Sequence, residues 1–478
     1  RVWKERRLMA DGTWSKRVTS RNAIGWTTTI SEWIPDSTGD FALPANRFQG
    51  FDAFGRPAKI IPPDAVNGND PHAISISYSG IRQESRTVKV ATAAGVETDS
   101  TTTWTFDGHG RLVKVGEPSG AAGAAVNTVY LYDIGDRLKT VCQQAVGGSC
   151  GQTRTFIFDN RGFLTSETHP EKAGPTLYSG HDARGHATAK SDGIATRALL
   201  FDYDKAERLQ RVWEDLPSPT PDRLYKQWTY DSATGWGGGK VHVAEGFNYF
   251  TVPPVTVKVS ESFTYNEIAG RLSERSTRNN VNGTNFELFT QTFDYDQSGN
   301  LIGQTYPSCI DGGCGSPGVV PRTVTYEYTN GHLTRVPGWA SSIGYHPNGM
   351  VASVAHTNGV TDTISPAVNG MRRPARIQTV GVAAGRNFDS GIFAFDGAGN
   401  VKAAGTDSFT YDAVSRLSNS TVHLPSWVSA VNWSQGYSFD PFGNITQITG
   451  TNARTTPTSA ATNRLNAAGT TYDEAGNL

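Results

Sequence analysis

Four short stretches of this sequence hold residue types that do chemistry in other settings. Gly147, Gly148, Ser149, Cys150 and Gly151 spell G-x-S-x-G, the lettering of a nucleophile elbow. An elbow needs a buried strand before the serine and a helix after it, whereas the QTRTFIFD that follows reads as a strand. Asp294, Asp296, Ser298 and Gly299 begin like a calcium loop, but Thr305 stands at the twelfth position, where a bidentate Glu is needed. His181 and His186 flank DARG without a third ligand. The run GWGGGK at 235–240 is followed by Val241, where a phosphate-binding loop requires Ser or Thr. Each constellation is incomplete. The residues therefore lead us to expect no catalytic, cofactor-binding or metal-binding site, and a chain that is not an enzyme.

Cysteines and tryptophans offer binding rather than reaction chemistry. Cys142 and Cys150 flank QQAVGGS, and Cys309 and Cys314 flank IDGG, so each pair can close a small loop at a hairpin end. Two such disulfides place the chain in an oxidising compartment; the alternative is unpaired thiols. Zinc is not expected, because it takes four ligands and neither pair has a second pair at ligand spacing. Trp236, Trp339, Trp427 and Trp433 sit in loop-like contexts, where exposed aromatic faces suit sugar rings. They are the candidate glycan contacts.

The elements that position these residues are strands. With 52 Gly, 24 Pro and an aromatic fraction of 10%, the composition favours turns and β-structure. The 43 basic against 44 acidic residues leave a net charge of −1, which offers no field for nucleic acid. No window approaches the roughly 18 apolar residues of a membrane span. The chain opens at Arg1 without Met or signal peptide and stops at Leu478 within a repeat, so it reads as a piece of something longer.

That repeat runs aromatic, Asp, two variable residues, Gly, Arg or Asn, then an aliphatic residue. The clearest copies begin at Phe51-Asp52 with Gly55, Phe106-Asp107 with Gly110, Tyr132-Asp133, Phe158-Asp159 with Gly162, and Tyr203-Asp204. They continue at Tyr295-Asp296 with Gly299, Phe395-Asp396 with Gly399, Tyr411-Asp412, Phe439-Asp440 with Gly443, and Tyr472-Asp473 with Gly476. Weaker copies start at His181, Tyr265, Tyr328 and Tyr345, and the one at Tyr230 runs into a loop insertion. The aromatic ends one strand, the aliphatic residue six positions on begins the next, and the two pair across a hairpin. Asp starts the turn by accepting backbone N–H groups, and Gly supplies positive φ near its end. Starts lie 16 residues apart from 395 to 411 and 35 apart from 230 to 265, room for one hairpin each. A propeller blade needs about 40–45. Such hairpins, set side by side, give one continuous antiparallel sheet whose twist makes it curl.

FDGHGRL, YDIGDRL, YDQSGNL and YDEAGNL resemble the YD repeats of the RHS family, related to repeats in the C components of insecticidal Tc toxins and in teneurins. The resemblance runs from Phe51 to Leu478. It implies an all-β fold: tandem YD-type hairpins in one long curled sheet that spirals into a hollow shell. Residues 51–478 would form one array, and residues 1–50 degenerate repeats or a plug-like segment. The function implied is a secreted structural shell enclosing a C-terminal toxin or effector of the same polypeptide, in the extracellular or periplasmic space of a bacterium. The chain ends before the paired-aspartate core segment of the bacterial toxin shells. The alternative is a cell-surface adhesive array that binds glycans, a receptor or partner proteins through its loops.

Overall fold

A computed structural model of the chain describes residues 2–40, 43–64, 70–119, 125–144, 149–192, 198–231, 235–266, 270–309, 322–381, 387–424, 432–473 and 476–477. Strands dominate; the one helical feature among the described residues is a single 3-10 turn, Val368–Gly370. No helix among them is long and apolar enough to cross a membrane.

Most strands pair antiparallel with their sequence neighbours and a few with the next but one, so the sheet is laid down largely hairpin by hairpin. Among the described residues the ladders join 26 strands, from Val2–Leu8 to Thr323–Thr325, into one open sheet, and smaller sheets of 2, 5 and 7 strands follow. The strands before residue 50 lie in the same ladder, through Ser31↔Ala45 and Phe48↔Ile60.

Eight of the ten clear copies share one register, the exceptions being those at Phe51 and Tyr472. Phe106 faces Leu112, Tyr132 faces Leu138, Tyr203 faces Leu209 and Phe395 faces Val401. One residue beyond that pair the register slips, so Lys139 and Lys402, among others, are bulged out of their strands. A bulge bends its strand and increases its twist. Repeated at each hairpin, this device curls the sheet. Cross-strand hydroxyl pairs such as Ser85–Thr103 and Thr87–Thr101, both 2.8 Å, knit one face.

The curl brings the chain back onto itself after roughly three hundred residues. Asn330 Nδ2 donates to Met9 O, Arg7 to Pro347 O, Asn369 to Pro63 O and Gln152 Nε2 to Ala460 O. Of the five most buried apolar side chains, Met9, Ile61, Val90 and Ala91 lie on or beside segments that the later coil touches, and Val18 is covered within the first strands. A single-layered sheet has little core within it, and contact between coils supplies part of what burial there is.

Candidate functional site

The recurring turn is the chemical unit of this chain. In the Phe106 copy, Asp107 N donates to Arg111 O at 2.9 Å and Gly110 N to Asp107 O at 3.2 Å. Asp107 Oδ1 accepts the N–H groups of His109 and Arg111, and Oδ2 accepts Arg111 Nε at 2.7 Å. Asp52, Asp133, Asp204 and Asp412 repeat this with Arg at the sixth position; Asp296, Asp396, Asp440 and Asp473 repeat it with Asn. In the Phe158 copy the sixth position is Phe163, and Arg161 makes the ion pair to Asp159 instead. The backbone N–H of Arg208 and then its guanidinium hold the Asp204 carboxyl below the usual range.

Gly55, Gly110, Gly162, Gly299, Gly399, Gly443 and Gly476 all have positive φ. Where the fifth position is not Gly, the same conformation is kept at a cost of about 1 kcal/mol. Asp136 (φ 62°), Glu207 (69°) and Ser415 (66°) are the cases. Each has its side chain bonded to the preceding turn: Asp136 to Arg111, Glu207 to Arg184, and Ser415 Oγ to Asn400 at 3.1 Å. Asp231 (φ 59°) does the same with Arg208, and Asn463 (φ 55°) with Asn444. Side chains stand where sequence reasoning expects Gly because they tie turn to turn.

The sixth-position cation works in the opposite direction. Arg56 lies 4.1 Å over Tyr78, Arg111 4.8 Å over Tyr132, Arg137 4.9 Å over Phe158, Arg208 4.2 Å over Tyr230 and Arg416 4.5 Å over Phe439. Each ring belongs to the next hairpin. Where that ring is Tyr, its hydroxyl donates back to the carbonyl of the preceding motif's aliphatic residue: Tyr132 to Leu112 at 2.8 Å and Tyr230 to Leu209 at 2.7 Å. The motif is therefore a two-hairpin coupling as well as a turn. Its signal lay in the sixth-position Arg, which local turn reasoning left without a task.

The other candidates are absorbed into this scheme. His186 replaces Arg, with Nδ1 2.8 Å from Asp182 and its ring stacked on Tyr203, while His181 stacks on Phe163. Lys240, at the end of the Gly-rich run, contacts Gly270 O and lies 4.9 Å over Tyr265. Asp296 is occupied by Asn300, and Cys150 opens a strand, Cys150–Phe158, where an elbow needs a helix. Cys142 and Cys150 form a disulfide with Cα atoms 5.5 Å apart. Cys309 lies in the strand Ser308–Cys309, and Cys314 falls outside the described residues, as do Trp427, Gly147, Gly148 and much of the loop at 307–321. Trp236 and Trp433 are exposed; Trp339 is exposed too, but Arg322 covers one face at 4.0 Å.

A second site, invisible in the motif, is the seam between coils. Turns of the later coil dock on strand ends and loops of the earlier one. The Asp396 carboxylate is almost wholly buried and accepts Ala91 N at 2.9 Å. Ser100 Oγ donates to Ala413 O at 2.5 Å, and Asn463 Nδ2 to Glu171 at 2.7 Å. Between these last two contacts the coils part into a cleft of about 610 Å³, lined by Glu117, Val126 and Gln143 on one side and Arg416, Phe439 and Phe442 on the other.

An open spiral of antiparallel hairpins whose successive coils dock edge to edge is the class of protein these contacts define. Among solved structures the chain is similar to the Photorhabdus luminescens Tc holotoxin pore, with a TM-score of 0.74 at 15% identity over 99% of this chain and 26% of the other. It is similar also to TcdB2–TccC3–TEV, at a TM-score of 0.69 and 15% identity over 97% and 25% of the two chains. TcdB2–TccC3 gives 0.60 at 15% identity over 97% and 26%. The fold is thus that of the RHS-type shells of Tc toxins, and this chain spans about a quarter of the length of those chains. No family model and no curated protein sequence matches it.

Proposed function

We propose that this chain is a section of the wall of a secreted shell that isolates a toxin or effector segment of the same polypeptide. The observation that carries the reading is the seam, in which turn carboxylates, amides and backbone carbonyls of the later coil bond to backbone and side chains of the earlier one. Edge-to-edge docking turns a ribbon of hairpins into a continuous wall, and a wall is what sequestration needs. Extending the coding region on both sides of this chain tests the proposal. A paired-aspartate core segment and a small unrelated domain after Leu478, with that domain resistant to protease while the coil is intact, are the expected results. A stalk or wall anchor, or a downstream domain digested as fast as the free domain, would replace it with the adhesive reading. That second reading draws on the exposed rings of Trp236 and Trp433. It requires a glycan or partner that quenches or shifts their fluorescence.

A further inference from the structure

At one point of the seam the earlier coil presents an acidic patch built around a histidine. Asp64 follows the strand Lys59–Ile61, His72 precedes Ile74–Ser79, and Glu97 lies near the start of Val96–Phe106. His72 Nδ1 is 2.7 Å from Asp64 Oδ2, and its Nε2 is 3.3 Å from Glu97 Oε2. Two cations of the later coil complete the row: Arg373 Nη2 stands 3.1 Å from Asp64 Oδ2, and Lys402 Nζ 2.5 Å from Glu97 Oε1. Lys402 is the residue bulged out beyond the Phe395↔Val401 pair, and a bulge re-aims the side chain it carries. The nearby Asp70 is engaged elsewhere, by Arg47 at 2.8 Å and Lys59 at 3.9 Å.

Three of these five groups belong to one coil and two to the other, so the charge of the patch sets how well the cations dock. With a neutral imidazole the patch carries the two negative charges of Asp64 and Glu97. With an imidazolium one of those charges is cancelled. Carboxylates at both ring nitrogens favour the charged form: the hydrogen bond to Asp64 raises the His72 pKa above its usual value, while burial and Lys402 oppose that rise. Lys402 and the His72 proton thus repel each other across the seam. A docked cation that disfavours a proton is, by reciprocity, disfavoured by that proton.

We propose that His72 is a proton switch in the seam, its protonation loosening the docking of Arg373 and Lys402 on the earlier coil. Two reference states give two signs. Against the unfolded chain, a raised pKa means that His72 contributes stability present below about 6.5 and lost as pH rises through the raised value. Against a folded but undocked coil the sign reverses, because undocking removes Lys402 and part of the burial, both of which oppose the proton. Acidification through the His72 transition therefore firms the earlier coil locally and weakens its grip on the later one. This holds whether or not the coil encloses a cargo.

The Ala91 amide reports docking directly, since its acceptor is Asp396 across the seam. Hydrogen exchange of the peptide containing Ala91, corrected for intrinsic rates, is measured in the whole chain from mildly alkaline to mildly acidic pH. Protection at Ala91 is expected to fall roughly fivefold or more across the transition, while amides of the distant Arg211–Gln227 ladder keep theirs. His72→Gln should abolish the change. Lys402→Gln, placed on the opposite coil, should flatten it with the imidazole left in place, and it decides the matter alone if the His72 variant does not fold. Protection that is constant or rises on acidification, or a dependence that survives in the folded variants, overturns the proposal.

Discussion

The Asp136 carboxylate receives the Arg111 guanidinium from the preceding turn while its own backbone is held at φ 62°. One residue thus trades conformational strain for a link between hairpins. The trade separates two substitutions that look alike. Asp136→Ala keeps the strain and loses the link, so its unfolding midpoint should fall. Asp136→Gly loses the link but relieves about 1 kcal/mol of strain, so it should be clearly more stable than the alanine variant. Thermal unfolding of the two side by side decides this, and equal midpoints would show that the strain is not there.

Asp396 and Asp107 occupy the same place in the motif, but only Asp396 is buried against another coil. Asp396→Ala leaves the N–H groups of Ala91, Ala398 and Asn400 without their acceptor, which should cost on the order of 3 kcal/mol. Asp107→Ala exposes its turn amides to water and should cost much less. Gly397 gives a second test at the same place. A Cβ there would meet Lys89 Cβ at 2.8 Å, whereas at Gly108 it would meet only the end of the Arg82 side chain at 3.2 Å. Gly397→Ala should therefore weaken Ala91 protection while Gly108→Ala leaves it unchanged.

Alkali should attack the hairpin couplings before it attacks the ladders. Burial and then the Glu167 carboxylate push the Tyr178 hydroxyl up to about 12, and burial raises Tyr265 and Tyr411, whose hydroxyls donate to Val241 O and Val401 O. A phenol whose folded pKa is raised contributes stability present below about pH 10 and lost as pH climbs toward the raised value. Phenolate absorbance should lag that of free tyrosine and then rise together with unfolding. Tyr178→Phe should cost about 1 kcal/mol at neutral pH and blunt the alkaline fall.

Reducing the Cys142–Cys150 disulfide should lower stability by no more than about 2 kcal/mol. The loop is short, and the ladder Cys142↔Thr153 through Gln144↔Cys150 already holds its ends together. Denaturant unfolding with and without reductant measures this. A larger loss would mean that the bridge is organising the hairpin rather than securing it.

The hairpins were legible in the sequence because everything that makes one lies within seven residues. The aromatic, the Asp, the positive-φ residue and the aliphatic partner touch one another, so their spacing alone specifies turn, register and bulge. The stretches at Asn22–Trp26 and Ser459–Arg464 lack the aromatic-Asp pair, yet Asn22 closes its turn through the same backbone bonds and Ser459 closes one a residue longer. What only the tertiary structure decided is which copies of one motif meet. Asp396 and Asp107 carry the same letters around them; one is buried against Ala91 and the other stays at the surface. That difference depends on twist summed over the whole run of strands, since each hairpin turns the sheet a little and only the total sets which residues some three hundred positions apart come into register. His72, Glu97 and Lys402 form one row for the same reason.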